Sequence, residues 1–260
     1  MKIRPGIRVA SFNIRNSSAP DGENAWPVRR KATVAAIERL DADVVGLQEV
    51  LPDQLEYLRW RFPKYQIVGA GRDDGMSAGE HSPVLVRPGD WRIERHETRW
   101  LSDDPGTPGS IGWDADLTRI ATLAWLRHRN GTTVGVVNTH YDHAGEVAQL
   151  QSSRLIARWI SGTLPWIVMG DLNATPDSPP LKALLASGLS LAVPPEAGGS
   201  WHDFTGAEDG DRIDHLLVTP TWKVTDAAVS HFRPEGRLPS DHWPVVATLE
   251  LDQPSSAPRV

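Results

Sequence analysis

Short apolar runs alternate with turn-rich loops along the whole chain. The runs predict strands over 8–14, 43–50, 65–70, 81–87, 91–100, 119–128 and 132–140, and again over 166–171, 213–218, 227–232 and 243–251. Between them the periodicity lengthens, and helices are expected over 28–40, 52–62, 146–160 and 179–186. In the first helix Val34, Ile37 and Leu40 recur on one face. The second opens on Pro52, where a missing N–H does no harm. Strand–helix units occur in both halves, which predicts two similar sheets packed face to face with helices outside. No Ser/Gly linker or change in composition separates the halves, so 1–252 reads as a single domain, with 253–260 a frayed tail.

Many of these strands end in polar clusters: Asn13, Glu49, His140, the stretch from Asp171 to Asn173, and Asp214. A carboxylate and a carboxamide at neighbouring strand ends are hard oxygen ligands of the kind Mg²⁺ prefers. Taken singly, Glu49 also reads as a charge facing water and Asn13 as an Asx turn. The segment 166–176, WIVMGDLNATP, is more specific. Period-two alternation would point Asp171 and Asn173 the same way, where they can position and deprotonate a water. In PSDHWP, over 239–244, an Asp241–His242 pair precedes an apolar strand, and Asp214 is placed to orient His242 from behind. His140 and Asp142 are two apart and fall on one side if the strand persists. His143 then faces elsewhere and reads as structural. Among the tryptophans, Trp60, Trp125, Trp159 and Trp166 sit within elements and read as core. Trp26, Trp113 and Trp201 sit in loops, where a ring can stack on a base or simply cover a sheet.

Composition narrows the chemistry. The chain has 260 residues, 40% apolar and 23% charged, which excludes disorder and collagen-like repeats. It has no cysteine, so disulfides, thiolate zinc sites, iron–sulfur clusters and cysteine nucleophiles are excluded, and any metal must be held by oxygen or imidazole. Lys and Arg total 27 against 33 Asp and Glu, a net charge of −6, and the positive residues are scattered. A duplex-DNA binder carries a basic stripe, so this balance points to a small phosphorylated substrate. The N-terminus lacks the apolar run of a signal peptide, and no stretch approaches the ~20 apolar residues of a membrane helix. A cytoplasmic protein without a membrane span is expected.

Six motifs occur in order, each at a predicted strand end: SFN at 11–13, LQE at 47–49, NTH at 138–140, GDLN at 170–173, RID at 212–214 and SDH at 240–242. Together they resemble the endonuclease/exonuclease/phosphatase superfamily over nearly the whole chain. The closest likeness is to a bacterial branch near the nocturnin and deadenylase-like members. That branch shows a loop with Asp21, Gly22, Asn24 and Trp26, then GRDDG at 71–75 with GE at 79–80, and GWDA at 112–115 followed by RIAT at 119–122.

The resemblance implies a four-layered α/β sandwich of two mainly antiparallel sheets flanked by helices. It implies a phosphoester hydrolase using Mg²⁺, with Mn²⁺ as a possible substitute. Glu49 would be the principal metal ligand, with Asn13 and Asp241 completing the site. Asp171 would activate the attacking water, Asn173 would hold it, His242 and His140 would donate to phosphate oxygens, and Asp214 would orient His242. Substrate contacts are expected from Arg119, whose guanidinium matches phosphate, and from Asp142, Glu80, Arg72, Trp113 and His202. The reaction would be in-line attack of water on phosphorus in a phosphorylated metabolite, a nucleotide or single-stranded nucleic acid. A DNA-repair-type endonuclease and a repurposed, non-hydrolytic member are the alternatives. Tyr141, His81 and His215 depart from the branch's pattern, and the strand over 84–86 lacks its usual aromatic. These positions are expected beside the substrate pocket.

Overall fold

Among the described residues, twelve strands pair into two six-stranded sheets, and each sheet is built around one parallel pair. The computed structural model describes residues 6–252, so the stretch expected to fray, 253–260, lies outside the described residues, as do residues 1–5. In the first sheet, strand β1 (Gly6–Asn13) leads through helix α1 (Trp26–Leu40) to its parallel neighbour β2 (Val44–Gln48). Helix α2 (Pro52–Arg61) follows, then β3 (Gln66–Val68) and β4 (Val84–Val86). The second sheet starts with β5 (Trp91–Trp100), β6 (Ile120–His128) and β7 (Thr133–His140). From β7 the chain crosses through α3 (Glu146–Trp159) to the parallel β8 (Trp166–Asp171). After α4 (Pro179–Ala186) come β9 (Ser190–Leu191) and β10 (Asp214–Val218), and the chain then returns to the first sheet as β11 (Trp222–Val229) and β12 (Val245–Leu251). The orders are β11-β12-β1-β2-β4-β3 and β5-β6-β7-β8-β10-β9, and every pair besides the two central ones is antiparallel.

The layering follows from strands that are apolar on both faces. Along β1, Val9 faces the space between the sheets, while Ala10 and Phe12 face α1 and α2. Val44, Leu126, Val136, Met169, Leu216 and Val245 fill the middle layer, whereas Val137, Val168 and Leu217 pack beneath α3 and α4. Burying each such side chain contributes roughly 1.5–3 kcal/mol. Polar groups also join the sheets. Asn138 of β7 donates to the carbonyls of Leu47 and Pro83 at 2.8 and 2.9 Å and accepts from Gln48 Nε2 at 2.6 Å. Gly46 makes this approach possible, because a Cβ there would lie 2.5 Å from Asn138 Oδ1.

Several boundaries differ from the expected ones for identifiable reasons. Pro83 has no N–H, and the strand expected over 81–87 begins only at Val84. Pro244 likewise delays the last strand to Val245. The strand expected over 227–232 runs from Trp222 to Val229, with a register shift between Val224 and Asp226 that obscures its alternation. The two-residue β9 had no sequence signal. Two tryptophans exchange their expected roles: Trp60 is 69% exposed on α2, whereas Trp26 is buried at the start of α1, edge-on to Tyr57. Tyr141, His81 and His215 are all buried away from the cleft, held by Ser153, the Val50 carbonyl and the Ala174 carbonyl respectively. Their departures therefore belong to packing, not to a substrate pocket.

Candidate active site

The C-terminal ends of the two parallel pairs meet at one cleft of about 560 Å³. The first sheet brings Asn13 at the end of β1 and Glu49 just after β2. The second brings His140 at the end of β7 opposite Asp171 at the end of β8, and Asp171 in turn lies opposite Asp214, the first residue of β10. The loop before β12 supplies Asp241 and His242. Glu49 and Asn173 both have left-handed backbones, with φ of 60° and 45°. Such conformations cost energy in residues other than glycine and here turn side chains into the cleft. The alternation expected to align Asn173 with Asp171 stops with the strand. The two still meet, because the Asn173 N–H donates to Asp171 Oδ1 at 2.9 Å.

Asn13 links the two halves. Its Nδ2 donates to Glu49 Oε1 at 3.0 Å and to Asp171 Oδ2 at 2.9 Å, while its Oδ1 accepts from the Arg15 N–H at 2.9 Å. That last bond fixes the amide, since only oxygen can accept it. Asn13 thus faces the two carboxylates as a donor. Glu49 Oε2 accepts from the backbone and side chain of Asn16 at 3.0 and 2.8 Å. Asn16 was missed in the sequence, where a loop asparagine carries no signal.

The loops themselves are held from below by the buried Arg29 of α1. Its guanidinium donates to the carbonyls of Asn24, Ile14 and Arg15 at 2.9, 2.6 and 2.7 Å, and to that of Pro239 at 3.2 Å. One side chain thereby ties the loop after β1 to the loop carrying Asp241 and His242. Gln54 of α2 accepts from the Ser17 N–H and donates to the Arg15 carbonyl, bracing the same loop.

Buried charge gives each group a different proton affinity. For Glu49, burial opposes ionisation, but the neighbouring His140 and the bonds from Asn13 and Asn16 outweigh it and bring the carboxyl down to about 2. Asp171 is pushed up to about 7 by burial and by the neighbouring Asp214. Burial also raises Asp241, and Glu49 adds to the effect. His242 Nδ1 bonds to Asp214 Oδ2 at 2.8 Å, and its Nε2 lies 3.8 Å from Asp171 Oδ2. Burial opposes its charge, yet Asp214, Asp241 and Asp171 raise its proton affinity well above the ordinary histidine range. His140 is lowered well below that range by burial and by Arg119. Its Nε2 lies 3.1 Å from Asn173 Nδ2, so the neutral ring is an acceptor there. Asp171, Asp214 and His242 each offer an atom within 4.8 Å of the others, a set that could hold an ion.

Of the expected substrate contacts, Arg119 and Glu80 line the cleft. Arg72 stands behind Glu80, with Nη1 2.5 Å from Glu80 Oε2. Asp142 is not a free contact. It accepts from the N–H groups of Leu117, Ala144 and Gly145 at 3.1, 3.1 and 2.9 Å and faces Arg119 Nε at 3.6 Å, so it seats the arginine. The strand ends at His140, which is why Asp142 does not share its side. Half-buried Trp113 is outside the cleft lining, and His202 is buried against Trp243 with ring centroids 4.3 Å apart. His143, expected to face elsewhere, lines the cleft, as does Trp201.

Residues 10–242 match the profile of the Endonuclease/Exonuclease/phosphatase family. Among solved structures, the chain is similar to an endonuclease/exonuclease/phosphatase from Bacteroides vulgatus, with 36% identity, a TM-score of 0.89, and coverage of 96% of this chain and 100% of that one. A mannosyl-6-phosphatase of Bacteroides thetaiotaomicron matches at 30% identity and a TM-score of 0.85, over 94% and 99% of the two chains. The catalytic domain of human nocturnin with bound sulfate shares the fold, at 18% identity and a TM-score of 0.73 over 97% of each chain. No curated protein matches the chain in sequence.

Proposed function

Because the chain belongs to the endonuclease/exonuclease/phosphatase family, a family of phosphoester hydrolases, we propose that it is a cytoplasmic, Mg²⁺-dependent phosphoesterase acting on a small phosphorylated molecule. One observation carries this reading. A carboxylate held ionised, Glu49, and a carboxylate held near neutrality, Asp171, share one cleft and are joined by Asn13.

The donor set suits a hard cation. Glu49 Oε1 accepts a single hydrogen bond among the described residues, which leaves it a lone pair. Asp241 lines the same cleft, and the mutual repulsion of the two carboxylates favours a cation between them. Glu49 and Asp241 would therefore hold Mg²⁺, and Mn²⁺ would substitute. The Asp171–Asp214–His242 group is a poorer host, because a histidine that keeps its proton has no lone pair to offer. Held by Glu49 and Asp241, a divalent cation would supply neutralisation of the negative charge that develops on the phosphate.

The remaining roles follow from this chain's own groups. Asp171, with a proton affinity close to ambient pH, accepts a proton from the attacking water. Asn173 has its Oδ1 without a partner among the described residues and orients that water. His242 donates from Nε2 to a phosphate oxygen, and Asp214 keeps the ring charged and aimed. His140, an acceptor in this arrangement, positions Asn173. No helix among the described residues is long and apolar enough to cross a membrane, and the net charge of −6 disfavours duplex DNA. Magnesium-stimulated release of phosphate from a panel of phosphate esters, abolished by EDTA and by Glu49→Gln, is the expected result. Release unaffected by either would refute the metal-dependent reading, and robust incision of abasic-site duplex would favour a repair endonuclease.

A further inference from the structure

Beyond the groups assigned to the phosphate, the cleft has two flanks with their own chemistry. On one flank, Glu80 uses Oε2 to bind Arg72, while its Oε1 has no partner among the described residues. Beside it Arg119 is only 6% exposed, and its Nε makes an ion pair with Asp142 Oδ2 at 3.6 Å but no hydrogen bond. Its other nitrogens are 4.0 Å from Glu80 Oε2 and 3.5 Å from His143 Nδ1. A buried guanidinium so poorly satisfied leaves donors for a ligand. On the other flank, Trp201 is 41% exposed and lines the cleft with Ile213 and Asp211.

Each flank carries an acidic residue, Glu80 on one and Asp211 on the other. Carboxylates accept hydrogen bonds and offer none. A second phosphate oxygen placed against Glu80 Oε1 would find no donor there. A hydroxyl, in contrast, can donate to Glu80 Oε1, and its oxygen or that of its neighbour can accept from Arg119. An exposed tryptophan offers an apolar face to the C–H side of a ring. The cleft volume of about 560 Å³ suits a small ligand.

Resting on the phosphoesterase reading above, we propose that the esterified alcohol is a monophosphorylated sugar, bound through its hydroxyls by Glu80 and Arg119 and through its ring by Trp201. A substrate with a single phosphate on a neutral, hydroxyl-rich ring satisfies both flanks at once.

Phosphate release in the presence of Mg²⁺ from four compounds tests this: a hexose 6-phosphate, a hexose 1,6-bisphosphate, a nucleoside 5′-monophosphate and p-nitrophenyl phosphate. The hexose monophosphate is expected to exceed the bisphosphate and the nucleotide in kcat/KM by at least about tenfold, since a site built to bond hydroxyls discriminates strongly against ligands that leave it unpaired. Glu80→Gln and, independently, the surface change Trp201→Ala should each reduce kcat/KM for the hexose phosphate about tenfold more than for p-nitrophenyl phosphate, chiefly through KM. Glu80→Gln should also narrow the gap between monophosphate and bisphosphate, which a merely structural role would not do. A preference for the nucleotide or the bisphosphate, or equal losses on the hexose and aryl phosphates, overturns the sugar assignment and leaves the phosphoesterase reading intact. Hydrolysis of none of the four overturns both.

Discussion

Glu49 and Asp171 are both carboxylates at the ends of buried strands, both bonded to the same Asn13 amide, and yet they carry opposite proton affinities. Glu49, at the first sheet, accepts three hydrogen bonds from two asparagines and is held down to about 2. Asp171, at the second, is pushed to about 7 by burial and by Asp214. Burial is common to both and does not separate them. What separates them is the set of neighbours: His140 and three asparagine donors at Glu49, against the Asp214 carboxylate at Asp171. A site can thus obtain a permanent anion and a proton acceptor from nearly the same residue by choosing the neighbours.

The largest effect is expected from breaking the proton-accepting side. Asp171→Asn should lower kcat about a thousandfold, equivalent to about 4 kcal/mol, with the melting transition retained. A loss below tenfold would contradict the role given to Asp171.

At His215 burial outweighs the Ala174 carbonyl and Asp214, both of which favour the charged ring. This histidine is buried beside Asp214 but outside the cleft, with Nε2 2.8 Å from the Ala174 carbonyl. Burial lowers it from 6.5 to about 4. Between those values the unfolded chain binds a proton that the folded chain refuses, so stability should fall as pH drops from 6.5 towards 4 and change no further from this group below that. The full loss is about 3 kcal/mol. Urea denaturation across this range should show it, and His215→Gln should flatten the slope. An unchanged slope in the variant would mean that burial does not shift this group.

The smallest effect is expected at the shared amide. Asn13→Ala removes a donor from both carboxylates, and kcat/KM should fall about tenfold, the cost of one or two charge-assisted bonds. A loss as large as that of Asp171→Asn would show that the two carboxylates do not act as separate units.

Much of this site was legible because its residues end apolar strands. A run such as WIVMG is committed to the interior, so the Asp171 and Asn173 that follow it must sit where the sheet stops. Glu49, His140, Asp214 and the Asp241–His242 pair could be read in the same way. The groups that set their behaviour could not. Asn16 reaches Glu49 from a loop, and Arg29 reaches four carbonyls from the buried face of α1. Neither sits at a strand end, and the contacts of Arg29 with Pro239 span 210 positions. Trp60 differs because an element's existence does not say which of its faces is covered, and Trp26 because the helix expected from 28 begins at Trp26 itself. Asp142 was misplaced because the strand stops at His140 and the chain turns back on Arg119.

Mg²⁺ binding measured by calorimetry on the full chain decides whether the metal belongs to Glu49 and proton transfer to Asp171. Glu49→Gln should weaken Mg²⁺ binding at least about tenfold, or 1.4 kcal/mol, while Asp171→Asn leaves it within about twofold, or 0.4 kcal/mol. The reverse pattern, with binding lost in Asp171→Asn and kept in Glu49→Gln, would place the ion among Asp171, Asp214 and His242 and contradict the assignment.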